Sequence, residues 1–213
     1  MKKVEVTKLL NSGFKKKLDK THFKKWKFGY IKEMSDGFFY EFAFSSASYD
    51  TCFPTTFYCG IGLQNVKIIL SKIFPEYAVV PENAYPIVFS LHQKSLFEAN
   101  KFPIFKYDIY TEEDVNEMVN EVSAFFISEA LPYLESISSI SQLEQITNTE
   151  LNPWKKSIGL ILAKLVNNPE YENLKSKYRE LLKDWSDWNK QELEKVIVFL
   201  DSYSQEELLK ITE

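Results

Sequence analysis

A chain of 213 residues with 45% apolar and 15% aromatic content can bury a sizeable core, which excludes a disordered protein. Its apolar runs are only a few residues long, whereas a membrane span needs roughly 20, so no membrane partner is expected. The net charge of −4 hides an asymmetry: residues 1–35 carry eleven Lys against Glu5, Asp19 and Glu33, or +8, and the other 178 residues carry 15 basic and 27 acidic groups, or −12.

The basic N-terminus lacks the apolar stretch of a secretory leader, so the expected location is cytoplasmic. Every basic residue except Arg179 is Lys, which disfavours bidentate phosphate recognition. Cys52 and Cys59 are the only cysteines. Seven residues apart on one strand they would lie over about 20 Å apart on opposite faces, which argues against a mutual disulfide or a shared metal and for two buried or half-buried thiols.

Taken in order, residues 2–11 read as a short helix with Val4, Leu9 and Leu10 as contacts, stopped at Ser12-Gly13. Trp26, Phe28 and Tyr30 alternate with Lys27, Gly29 and Ile31, as a strand does. Ser35-Asp36-Gly37 is a turn, and Phe38, Tyr40, Phe42 and Phe44 line one face of the next strand. A hairpin from about residue 24 to 46 follows. Further strands are read at Phe57–Leu63, Ile87–Leu91 and Phe105–Tyr110, giving about five. Between them Asn65 could cap a helix bearing Val66, Ile69, Leu70 and Ile73, which Pro75 stops.

Thr111 followed by Glu112, Glu113 and Asp114 opens a long helix reaching Leu134, with Val115, Met118, Val119, Val122, Phe125, Phe126 and Ile127 as its buried stripe. From Ser139 onward strand signals vanish. Ser141 with Glu144 fits a capping box, and Asn152-Pro153 and Asn168-Pro169 each place a capping residue before Pro. Trp154, Ile158, Ile161, Leu162 and Leu165 make one apolar face, Tyr171, Leu174, Tyr178, Leu181 and Trp185 a second, and Leu193, Val196, Ile197 and Leu200 a third. Ser204 with Glu207 starts a last helix. The fold class is α+β: an antiparallel sheet packed with a short N-terminal helix and a long helix, then a helical C-terminal unit. The implied division is an α+β domain over residues 1–136 and an all-helical extension over 137–213.

Gly13-Phe14-Lys15-Lys16-Lys17, followed by Phe23-Lys24 and a hairpin of aromatic strands, resembles an uncharacterised family of bacterial domains of unknown function. The chain departs from that pattern at Leu18, where the family carries a small residue, and at Lys24, where it carries Arg. The resemblance implies a bacterial cytoplasmic α+β protein with no assigned activity. Some small bacterial proteins of this sort neutralise toxins by binding them, an analogy of architecture only.

The candidate interaction surface is Lys15, Lys16, Lys17, Lys24, Lys25, Trp26, Lys27 and Tyr30, cations interleaved with aromatic rings. That mixture suits single-stranded nucleic acid, but the acidic remainder of the chain argues against it. An acidic protein partner fits better, and a homodimer is compatible with the same surface. His22 reads as a surface residue, and a Cys52–His92 nucleophilic pair lacks an orienting third group. Gly60-Ile61-Gly62 lacks the third glycine of a dinucleotide fingerprint and the ending of a P-loop. Glu41, between Phe39 and Ala43 on a strand face, would need a Lys partner if that face is covered. No catalytic residue, cofactor or metal is assigned. The leading expectation is therefore a non-enzymatic protein-binding or regulatory factor, with a small-ligand protein or enzyme holding an aromatic-lined pocket as one alternative and nucleic-acid binding as the other.

Overall fold

The computed structural model describes residues 1–26, 29–34, 36–75, 106–149 and 151–212, together with the backbone of 87–90. The chain divides into two compact units, residues 1–61 with 89–136 and residues 62–88 with 137–213. The segment 62–88 thus groups with the C-terminal helices, although the strand signals on either side of it place it in the α+β domain.

The first unit opens with α1 (Lys3–Leu18), whose Val6, Leu10, Phe14 and Leu18 recur every four residues and are all buried. The helix does not stop at Ser12-Gly13. Gly13 is needed for close approach instead: a Cβ there would lie 2.8 Å from Val119 Cγ2 on α3 (Glu112–Phe125), against which α1 packs. The exit runs through a 3-10 turn (Asp19–Thr21) to His22, which takes the left-handed conformation at φ 62°.

The sheet holds β1 (Lys24–Trp26), β2 (Gly29–Glu33), β3 (Phe38–Ser46), β4 (Phe53–Leu63), β5 (Ile87–Ser90) and β6 (Lys106–Ile109). Its order is β1-β2-β3-β4-β5, with β6 also paired to β4. The strand expected through Trp26 and Tyr30 is in fact two antiparallel strands, with Trp26 opposite Gly29 and Lys25 opposite Tyr30, so the described residues hold six strands where about five are expected. Gly29 also lies opposite Ala43, and a Cβ there would sit 2.3 Å from the Phe42 carbonyl oxygen. The β2–β3 hairpin turns at Asp36-Gly37 as expected; Gly37 adopts φ 80°, a conformation costly for any residue with a Cβ.

On one sheet face Phe42 packs edge-on against Phe14 of α1 at 4.8 Å and against Phe126 at 4.8 Å, with Phe57 tilted beside it at 4.9 Å. Thr111 caps α3 by accepting from the Asp114 N–H, as expected. The long helix is interrupted by a π-helical turn (Phe126–Ala130) before α4 (Leu131–Ser136). Pro132 has no N–H to continue an α-helical ladder, and the wider turn absorbs that break while Phe126, Ala130, Leu131 and Leu134 all stay buried. Ile127, expected in the buried stripe, is exposed.

The second unit is helical: α2 (Gln64–Ile73), α5 (Ile140–Thr149), α6 (Lys156–Leu165), α7 (Tyr171–Leu181), α8 (Asp187–Asp201) and α9 (Gln205–Ile211). α6 is buried along nearly its whole length and touches α2, α5, α7, α8 and α9. Val66 and Ile69 of α2 are buried, and α2 packs on α6, α8 and α9, which is why 62–88 belongs here. Asn152, Asn168 and Ser204 accept from the N–H groups of Trp154, Glu170 and Glu207, as their positions suggest. Two expected caps differ. Leu63 occupies the cap position of α2 in place of Asn65, and Ser139 rather than Ser141 accepts from the first turn of α5, through the Gln142 N–H. Glu144 is freed for a buried role, accepting from Asn148 at 2.8 Å and Asn168 at 2.7 Å. Among the described residues no helix is long and apolar enough to cross a membrane.

Candidate interaction surface

The basic residues singled out in the sequence separate into two groups. Lys15, Lys16 and Lys17 form the last turn of α1 and are fully solvent-facing, where their charge complements the negative end of the helix dipole. Lys20 on the 3-10 turn and Lys24 on edge strand β1 continue this exposed run. Among the described residues none of these five ammonium groups makes an ion pair or hydrogen bond.

Lys25 and Tyr30 serve the fold. Lys25 donates to Asn11 Oδ1 and lies 5.0 Å over the Tyr30 ring, and burial pushes its pKa down. Tyr30 is only 1% exposed, and its hydroxyl donates to the Asn11 carbonyl at 2.6 Å. Asn11 therefore ties α1 to both β1 and β2, and Tyr30 leaves the expected surface for the core. Trp26 is half-buried, and Lys27 lies outside the described residues.

The linear charge asymmetry largely cancels inside the first unit. Residues 1–61 carry eleven Lys against six acids, whereas residues 89–136 carry three Lys against nine acids. The acids of α3 are thus built into the helix against which basic α1 packs. One direct pair is Lys32 with Glu135 at 2.7 Å. Among the described residues the exposed lysines at the end of α1 stay unpaired although this unit carries about as many carboxylates as lysines.

Glu41 is the second point of chemical interest. It lies opposite Ile31 on β3, is 7% exposed, and has a pKa raised to about 7 by loss of solvent. Among the described residues no hydrogen bond or ion pair reaches its carboxylate, so the anticipated Lys partner is absent there. Burial raises the pKa of Tyr58, and the Glu41 charge adds to that rise. Cys59 is buried and its thiol pKa is driven up by desolvation, which leaves it unreactive. Cys52 is half-exposed; His92, its suggested partner, lies outside the described residues. Gly60 and Gly62 sit inside β4 rather than in a loop. Among the described residues no cluster of three or more His, Cys, Asp or Glu could hold a metal. The aromatic space between sheet and long helix is filled by Phe14, Phe42, Phe57 and Phe126 themselves.

The sequence reading missed an aromatic surface on the second unit. Trp154 and Trp185, assigned to buried helix faces, meet in a T-shaped contact at 4.9 Å, and Trp154 is 74% exposed. Trp188, in the first turn of α8, is 58% exposed. The available signal was Asp184-Trp185-Ser186-Asp187-Trp188, in which Ser186 caps α8 and the tryptophans stand among polar residues at the helix start.

No family model, curated protein or solved structure matches this chain. The resemblance to an uncharacterised bacterial family rests on the N-terminal residues quoted for it.

Proposed function

We propose that this chain is a non-catalytic protein-binding or regulatory factor that engages an acidic protein surface. Its contact is the exposed cationic run Lys15, Lys16, Lys17, Lys20 and Lys24. The observation that carries this reading is that, among the described residues, those five groups make no ion pair or hydrogen bond, in a unit with about as many carboxylates as lysines. Such a surface steers an acidic partner at long range and weakens with salt. A toxin-neutralising role falls within this class.

Affinity capture from cell extract tests it, using the native chain beside Lys15→Glu/Lys16→Glu/Lys17→Glu/Lys24→Glu at low and moderate salt. One discrete partner held by the native chain and lost by the charge-reversed variant is the expected result. Failure to recover a partner, or equal recovery by both, overturns the reading. Single-stranded nucleic acid is disfavoured because Tyr30 is buried and Trp26 half-buried, which removes stacking faces from the cationic run. A labelled oligothymidylate that fails to bind at low salt disposes of that alternative.

A further inference from the structure

The Trp154–Trp185–Trp188 corner is a second, independent surface. Trp154 stands on the 3-10 turn (Pro153–Lys155) that leads into α6, and Trp188 on the first turn of α8. Lys156, the first residue of α6, ties this end of the helix to the start of α8, reaching Asn189 at 3.3 Å and Glu192 at 2.6 Å. The two exposed indoles thus stand next to the residues that join these helix starts, and Trp185 meets Trp154 in a T-shaped contact at an interplanar angle of 71°. A T-shaped contact covers one face of one ring only, and Trp154 remains 74% exposed.

Large exposed aromatics are costly to leave wet and are over-represented at binding hot spots. The chemistry around these indoles selects the ligand. Asp184 makes no ion pair among the described residues, and Asp187, with a side chain 91% exposed, meets Lys190 only at 3.9 Å. The local cations are occupied elsewhere: Lys156 by Glu192 and Lys183 by Glu180. Among the described residues no ammonium or guanidinium lies over any of the three indoles, although Lys25, Lys164, Lys175 and Lys195 each lie over a ring elsewhere.

We propose that this corner binds an arginine-bearing segment of a partner protein, its guanidinium stacked on the exposed indoles and its charge met by Asp184 and Asp187. Arg suits the site better than Lys because its planar group stacks on an aromatic face while donating sideways to a carboxylate.

The test uses the full chain and a fluorescein-labelled (Gly-Arg)5 peptide followed by anisotropy at moderate salt, with (Gly-Lys)5 as the matched cation. Expected are saturable binding of the Arg peptide and weaker binding of the Lys peptide. Trp154→Ala/Trp188→Ala should weaken binding about tenfold, and Asp184→Asn/Asp187→Asn should weaken it as well. Both pairs are exposed, and circular dichroism checks that each variant folds. The proposal is overturned by no saturable binding, by full affinity in the tryptophan variant, or by equal affinity for both peptides that salt abolishes, which would be charge attraction alone. It is also overturned if light scattering finds a dimer that Trp154→Ala/Trp188→Ala converts to monomer, since a second copy would then occupy the corner.

Discussion

Charge is handled in opposite ways by the two units. In the helical unit Lys156 and Lys175 are buried, and each is matched: Lys156 by Glu192 and Asn189, Lys175 by Glu172 and by Asp201 at 2.9 Å. Glu144 in the same unit accepts from two asparagines. In the sheet unit the charges at issue are unmatched among the described residues: five exposed lysines have no partner there, and Glu41 is buried among strands without one. Desolvation is tolerable for a charge that gains hydrogen bonds and costly for one that does not. The difference teaches that buried charge in the helical unit is spent on its own architecture, while the buried Glu41 of the sheet unit is left available to protons and its exposed lysines to other molecules.

The sharpest way to break the contrast is to orphan a matched charge. Glu192→Ala leaves the Lys156 ammonium buried with only Asn189, and should cost about 3 kcal/mol in urea denaturation; a loss within error would mean the pair contributes nothing. Glu41→Gln probes the unmatched side. Because the folded-state pKa is raised from 4.5 to about 7, the folded protein binds this proton more tightly than the unfolded chain. Native stability is therefore undiminished below pH 4.5, falls between 4.5 and about 7, and is lower by up to roughly 3 kcal/mol above that. Glu41→Gln should flatten that slope and be more stable than the native chain at pH 8, as paired urea midpoints at pH 5 and pH 8 would show.

Gly13→Ala should cost about 1–2 kcal/mol, overpacking against Val119 outweighing the gain in helix propensity. Its thermal midpoint should recover when Val119→Ala is added; no recovery would assign the loss to something other than this contact. The smallest effect belongs to Lys15→Gln/Lys16→Gln/Lys17→Gln, under about 1 kcal/mol through the helix dipole. Capture of an acidic partner should nevertheless fall sharply in that variant, which separates a binding charge from a structural one.

Features fixed by neighbouring residues were legible before the structure. Gly37 at the β2–β3 turn, Asn152 and Asn168 before proline, and Ser204 with Glu207 each depend on a few bonded neighbours. Gly13 was misread because local chemistry makes glycine a helix stop, whereas a distant Val119 makes it a contact point inside α1. Trp154 was misread for a related reason: its spacing from Ile158 matches a helix face, but α6 begins only at Lys156 and the 3-10 turn before it aims the indole outward. In the candidate surface the exposed lysines were legible, while the burial of Tyr30 depended on Asn11 across 19 residues and left no local trace.

The threefold crossing of the chain between units has a consequence for its birth on the ribosome. α2 (Gln64–Ile73) emerges long before α6 (Lys156–Leu165), on which Val66 and Ile69 find cover. During synthesis that small helix must wait with an apolar stripe uncovered while residues 89–136 complete the sheet unit. A nascent chain halted after residue 136 would therefore carry an unsheltered segment of the kind that recruits chaperones. Neither unit can be shuffled between genes as a single continuous cassette, so the two are expected to be inherited together.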